Sequence, residues 1–153
     1  MLKVNRKVEY GLVALKHMLT KPKGQLTSVR EICDHYGTPF DPVAHVLRIL
    51  NAGGLVQSEQ GAHGGYRLMD EMRNINLAQF IEIVEGHLAF ADCLRDEECR
   101  CNLMERCNIA GPMQVLNSKL LEFFKSVSVR DMLEDPTLYA GAFNEKDVSS
   151  HAQ

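Results

Sequence analysis

The chain has 153 residues, 45% apolar and 24% charged, with a formal net charge of −3. That length suits one domain with a real hydrophobic core. No apolar run reaches the roughly 20 residues a membrane-spanning helix needs, and Met1 to Arg6 lacks the apolar stretch of a secretory signal, so a cytoplasmic protein without membrane association is expected. In a reducing cytosol, five cysteines point to metal binding or thiol chemistry rather than structural disulfides. The acidic total argues against nucleic acid only until the chain is divided. Residues 1–73 hold ten Lys/Arg against seven Asp/Glu, net +3, whereas residues 74–153 hold seven against thirteen, net −6. The basic half is where a DNA-binding unit belongs.

Val4, Val8, Leu12, Leu15 and Leu19 recur at helical spacing, which predicts a first amphipathic helix ending near Lys21-Pro22. Its polar face carries Arg6, Lys7, Glu9 and Lys16, ordinarily a solvated face. Ser28 and Glu31 have capping-box spacing for a second helix with Val29, Ile32 and Tyr36 inward, closed by Gly37. Cys33 falls on the buried side of this helix as a small core residue. Asp41-Pro42 predicts the start of a third helix, as N-cap and first helical residue. There Val43, Val46, Leu47 and Leu50 face inward, leaving Ala44, His45, Arg48 and Asn51 outward. Two short helices about a glycine turn form the pattern of a helix-turn-helix.

Leu55-Val56-Gln57-Ser58 and Tyr66-Arg67-Leu68 read as strands joined through Gln60-Gly61-Ala62-His63-Gly64-Gly65. Three glycines at the tip permit close approach to a phosphate backbone, as a wing requires; the alternative is a plain surface hairpin. Asn76 and Gln79 form another capping box, with Ile75 stapling onto Phe80, and Gly86 ends that helix. Four cysteines then fall within fifteen residues, Cys93, Cys99, Cys101 and Cys107, in a polar segment whose order is expected to depend on a ligand. Pro112 opens a long helix in which Met113, Leu116, Leu120, Phe123 and Val127 repeat as a coiled-coil seam for dimerisation, the alternative being packing on its own domain. Ser128 to Leu133 suits a last short helix. The expected fold is mainly α with a small β wing. Residues 1–86 make a winged helix-turn-helix, 87–110 a cysteine-rich loop, 111–134 the dimerisation and terminal helices, and 135–153 a loose tail.

With Val8-Glu9-Tyr10-Gly11-Leu12 in the first helix, Gly64-Gly65-Tyr66-Arg67-Leu68 at the wing and cysteines ahead of a long helix, the chain resembles the winged-helix iron–sulfur regulators that include IscR and NsrR. The resemblance covers roughly residues 8–133. It implies a homodimer on double-stranded DNA, the third helix in a major groove and the wing in the adjacent minor groove. Ser28, Phe40, Asp41, Ala44, His45, Arg48, Gln60, His63 and Gly64 would face the duplex. It also implies a 2Fe–2S or 4Fe–4S cluster. The segment Cys101 to Ile109 looks closer to NsrR, with Cys93, Cys101 and Cys107 as ligands and Cys99 competing with Cys101. IscR-like members place a histidine where this chain has Ala110, whereas NsrR-like members use an acidic residue of the partner subunit's first helix, and Glu9 stands at that place. Two departures leave the target sequence open. Gln60 replaces an arginine common at the wing, and Asp41 repels phosphate unless it caps the helix or reads a cytosine amino group.

A cluster-free regulator of the same fold, acting as a thiol switch or binding zinc, is the alternative, although one residue between Cys99 and Cys101 is an unusual zinc spacing. Enzymatic activity is not expected: no nucleophile–base constellation, phosphate loop or paired carboxylates are present, and six histidines are scattered.

Overall fold

Asn5 starts the first helix by accepting a hydrogen bond from the Lys7 amide at 3.2 Å, giving α1, Arg6–Leu19. The computed structural model describes residues 5–61, 63–86, 88–89, 91–94, 101, 106–135 and 137. Val8, Ala14, Leu15 and Met18 of α1 are buried. Gly11 is the point of closest approach, since a Cβ there would lie 2.9 Å from the Phe80 ring and 3.3 Å from Val46. A glycine in a helix interior costs about 1 kcal/mol of propensity relative to alanine, and here it lets three helices meet.

The second helix, α2, spans Val29–Tyr36, and Gly37 ends it in the left-handed conformation at φ +63°. Only half of the expected capping box forms. The Ser28 hydroxyl oxygen accepts from the Glu31 amide at 3.1 Å, but the Glu31 carboxylate is taken by Lys21 and His17. Tyr36, expected inward, is exposed, with its hydroxyl 3.2 Å from His17 Nδ1. Cys33 packs, half-buried, against the core as expected.

The third helix, α3, spans Phe40–Ala52 and begins two residues earlier than the Asp41-Pro42 signal suggested. Pro39 is the cap, without a side-chain bond, and Asp41 and Pro42 lie in the first turn. Proline is tolerated there because first-turn amides have no intrahelical partner. Val43, Val46, Leu47 and Leu50 are buried as expected.

The strands β1 (Val56–Glu59) and β2 (Gly65–Leu68) pair antiparallel, with Val56 opposite Leu68 and Glu59 opposite Gly65. Thr27, just ahead of α2, adds a bridge to Tyr66 through two backbone hydrogen bonds of 2.8 and 2.9 Å. The wing is thereby bonded to the helix-turn-helix. A 3-10 turn over Asp70–Asn74 buries Met72 and leads to α4, Leu77–Glu85, where both halves of the Asn76–Gln79 capping box are present. Ile75 and Phe80 are both buried, and Gly86 ends the helix.

A short 3-10 turn, Asp92–Leu94, precedes α5, Ala110–Ser126, and α6, Val129–Glu134, closes the described fold. Between the last two helices the backbone turns extended and bonds to the segment ahead of α4. Leu77 donates to the Val127 carbonyl at 2.8 Å, and Val129 donates to the Ile75 carbonyl at 3.1 Å. Val127 is therefore buried within this chain beyond the end of α5, a correction to the expected seam. One core holds the assembly together, centred on Leu15, Ile32, Leu47, Leu50, Met72, Phe80 and Val129. Each such side chain contributes about 1.5–3 kcal/mol of transfer free energy.

Candidate functional site

The two-helix unit presents an outward face of mixed polar and apolar side chains. On α3, Phe40, Asp41, His45 and Arg48 are exposed and Ala44 is half-buried. Arg48 Nε donates to the Ala44 carbonyl at 3.4 Å, so its guanidinium lies along the outer face. Asn51, also outward, is already occupied: its side-chain oxygen accepts from the Ser58 amide at 2.8 Å and ties the end of α3 to β1. Ser28 is half-buried, and its oxygen serves the start of α2.

At the wing, Gln60 and His63 are exposed and Gly64 is half-buried. The glycines answer to the chain's own backbone. A Cβ on Gly64 would lie 2.4 Å from the Glu59 carbonyl, and one on Gly65 would lie 2.7 Å from the Thr27 carbonyl. Behind the tip, Arg67 spans the strands, pairing with Glu59 at 2.8 Å and donating from Nε to the Gln57 side-chain oxygen at 3.0 Å.

Of the cysteines expected as ligands, Cys93 is half-buried in the short turn after α4, Cys101 is exposed, and Cys107 is half-buried three residues before α5. Cys99 lies outside the described residues, as do half of residues 87–110 and most of the tail. Glu9 sits in the first turn of α1, where Arg6 holds it at 3.1 Å. A metal would have to displace that exposed pair, a small cost. Among the described residues no three His, Cys, Asp or Glu side chains converge on one point. The donor set nonetheless fits an iron–sulfur cluster in chemistry, with three soft thiolates outside the apolar core and a carboxylate on a different element. Cys33, packed on the core, does not belong to it.

Along α5 no side chain is buried. Met113 and Leu120 are half-buried, whereas Leu116 and Phe123 are 40% and 45% exposed, joined by Ile109 and Val115. No helix among the described residues is long and apolar enough to cross a membrane.

Residues 4–135 match the family model Rrf2, described as an iron-dependent transcriptional regulator. The chain belongs to the Rrf2 family. Among its Rrf2 relatives, the HTH-type transcriptional regulator NsrR of Shouchella clausii is 26% identical over 125 residues, covering 82% of this chain and 84% of the relative. NsrR of Halalkalibacterium halodurans is 25% identical, covering 82% and 86%. The fold is similar to that of CymR, the global cysteine regulator of B. subtilis, at TM-score 0.65 and 26% identity over 87% of this chain and 97% of that one. IscR of T. potens matches at TM-score 0.59 and 25% identity over 95% and 96%. The winged-helix expectation is thus met.

One polar cluster of this Rrf2 chain escaped the sequence reading. His17 is buried between α1 and α2, with Nε2 2.9 Å from Glu31 Oε1. Lys21 pairs with the same carboxylate, and the His35 and Tyr36 rings stand edge-on at 4.5 Å. Burial raises the Glu31 carboxyl pKa, but hydrogen bonds from Lys21 and His17, and their charges, bring it below its ordinary value overall. Nothing in helical periodicity marks such a contact across elements; the available signal was a histidine at an inward position of α1.

Proposed function

We propose that this Rrf2 regulator is a cytoplasmic homodimer that binds double-stranded DNA through α3 and the β1–β2 wing, and that an iron–sulfur cluster sets its affinity. The observation that carries this reading is the presence, in one chain matching an iron-dependent family, of an outward polar α3 and wing together with three thiol-bearing residues ahead of an exposed apolar helix. Cys93, Cys101 and Cys107 would hold the group, with Glu9 of the partner subunit completing the set. When bound, a 2Fe–2S or 4Fe–4S cluster supplies redox activity and an iron open to nitric oxide or oxygen. Glu9, a harder and more exchangeable ligand than thiolate, would mark the reactive position. Cys107 sits three residues before Ala110, so its ligation fixes where α5 begins. Val127 and Val129 then bond the far end of α5 to the start of α4. A shift of α5 therefore changes the separation of the two α3 helices, which sets affinity for a two-part site. The reading assigns the chain no catalytic role.

Protein purified without oxygen should show sulfide, iron and visible absorption that Cys93→Ser or Cys107→Ser abolishes. Cys99→Ser should be tolerated better than Cys101→Ser. Glu9→Ala should keep the fold and dimer while altering the spectrum or the reaction with nitric oxide. A Glu9→Ala protein of unchanged spectrum and reactivity would return Glu9 to its pair with Arg6. The similarity to CymR, a cysteine regulator, favours a second reading in which the same cysteines act without a cluster, as a thiol switch or zinc site. Protein free of iron and sulfide, with DNA affinity that changes on oxidation or zinc removal, would establish that reading.

A further inference from the structure

Phe40 is the first residue of α3 and remains 52% exposed. The ring lies at the leading end of a helix that buries Val43, Val46, Leu47 and Leu50 on another face, so it is available for contact from outside. Ala44 follows one turn later, on the same face by the four-residue repeat, and Arg48 continues the line through its bond to the Ala44 carbonyl. Between Phe40 and Ala44 stands Asp41, exposed and without a capping bond. Its carboxylate would be repelled by a phosphate, so the amino-terminal turn of α3 is suited to base edges rather than to the sugar–phosphate backbone. On the major-groove edge of the bases, the apolar group presented is the C5 methyl of thymine, which aromatic and small apolar side chains recognise by contact.

From this geometry we propose that Phe40 and Ala44 form a thymine-methyl reader, and that each half-site holds one or two adjacent thymines opposite the first turn of α3. The inference rests on α3 being the recognition helix and names what that helix selects. Arg48, a turn further on, supplies phosphate contact and no discrimination between thymine and its demethylated form.

The test uses full-length protein prepared without oxygen to select duplexes from a random pool. Each thymine of the selected half-site is then replaced in turn by deoxyuridine, which lacks only the methyl group. Loss of one buried methyl should weaken binding about fourfold at one or two adjacent positions. Phe40→Ala should bind thymine and deoxyuridine duplexes equally at one of them, with unchanged helix content. The deoxyuridine series on the unsubstituted protein stands even if the variant misfolds. The proposal is overturned by equal affinity for every deoxyuridine duplex, by a half-site without thymine, or by discrimination that survives intact in Phe40→Ala. A monomeric Phe40→Ala would also overturn it, by placing the ring against a second subunit. A selection that enriches no duplex fails earlier, at the DNA-binding reading itself.

Discussion

Glu31 shows how a residue with an obvious local role is captured by a tertiary one. Its spacing from Ser28 matches a capping box, yet its carboxylate faces Lys21 and His17 of the preceding segment, and these hold its pKa below the usual carboxylate value even though burial acts the other way. A depressed folded-state pKa contributes stability that is fully present above the unfolded value of about 4.3 and is lost as pH falls through the folded value. Glu31→Gln should therefore lower stability at pH 7 by about 1–2 kcal/mol, a figure discounted because the carboxyl is 40% exposed. The difference should shrink below about pH 4. Urea unfolding at stepped pH reads both effects, and a gap that stays constant down to pH 3 would mean the carboxylate is not the titrating partner. Gly65 is the counterpart among backbone positions. With Thr27 carbonyl oxygen 2.7 Å from where a Cβ would sit, Gly65→Ala should push the wing off Thr27 and cost about 1–3 kcal/mol. A thermal midpoint unchanged from the parent would show that the bridge yields freely.

The elements divide by the kind of signal that specified them. Periodic burial located α1, α3 and α4 within a residue or two, and Asn76 with Gln79 marked the start of α4 because both partners lie within one turn and nothing else competes for them. The start of α3 was misplaced because Pro42 is acceptable anywhere in a first turn, and the sequence alone does not distinguish those positions. The Thr27–Tyr66 bridge and the extended Val127–Ser128 link were not legible, since single-residue pairings between distant segments leave no period to read. The proposed DNA-facing edge was legible as far as exposure goes, because outward positions follow from inward ones. Asn51, outward by the same logic, is instead spent on the Ser58 amide. Removing a phosphate contact should weaken binding to all duplexes alike, whereas removing a base contact should alter preference. Arg48→Ala should therefore reduce affinity for specific and non-specific DNA together and lower the salt slope by about one unit. His45→Ala should change sequence preference at one position. Gel-shift titrations at several salt concentrations separate the two, and two variants indistinguishable from the parent would move the interface off α3.

In the whole molecule, the parts of the candidate centre do not meet within the described residues of one chain. The cysteines precede α5, Glu9 opens α1, and the proposed reading helix is α3. Sequence could name these residues through resemblance, but in the proposed reading their convergence depends on a second subunit, which no periodicity within a chain encodes. The dimer is therefore the assumption on which the regulatory proposal turns, and α5 offers the means to test it. Leu116 and Phe123 are 40% and 45% exposed, whereas Val127, which continues their spacing, is 3% exposed inside its own chain. The two kinds of position respond differently to a charge. At Val127 an aspartate would be buried without a partner, at a cost of several kcal/mol comparable to the stability of a small domain, so Val127→Asp should unfold the protein. At Leu116 the same substitution leaves the carboxylate in water in the monomer and buries it only on association. Leu116→Asp should therefore retain its helical circular dichroism, sediment as a monomer, and bind a two-part DNA site more weakly while keeping its non-specific affinity. A folded Leu116→Asp dimer of unchanged association would take α5 out of the interface. The link from cysteine ligation to the spacing of the reading helices would go with it.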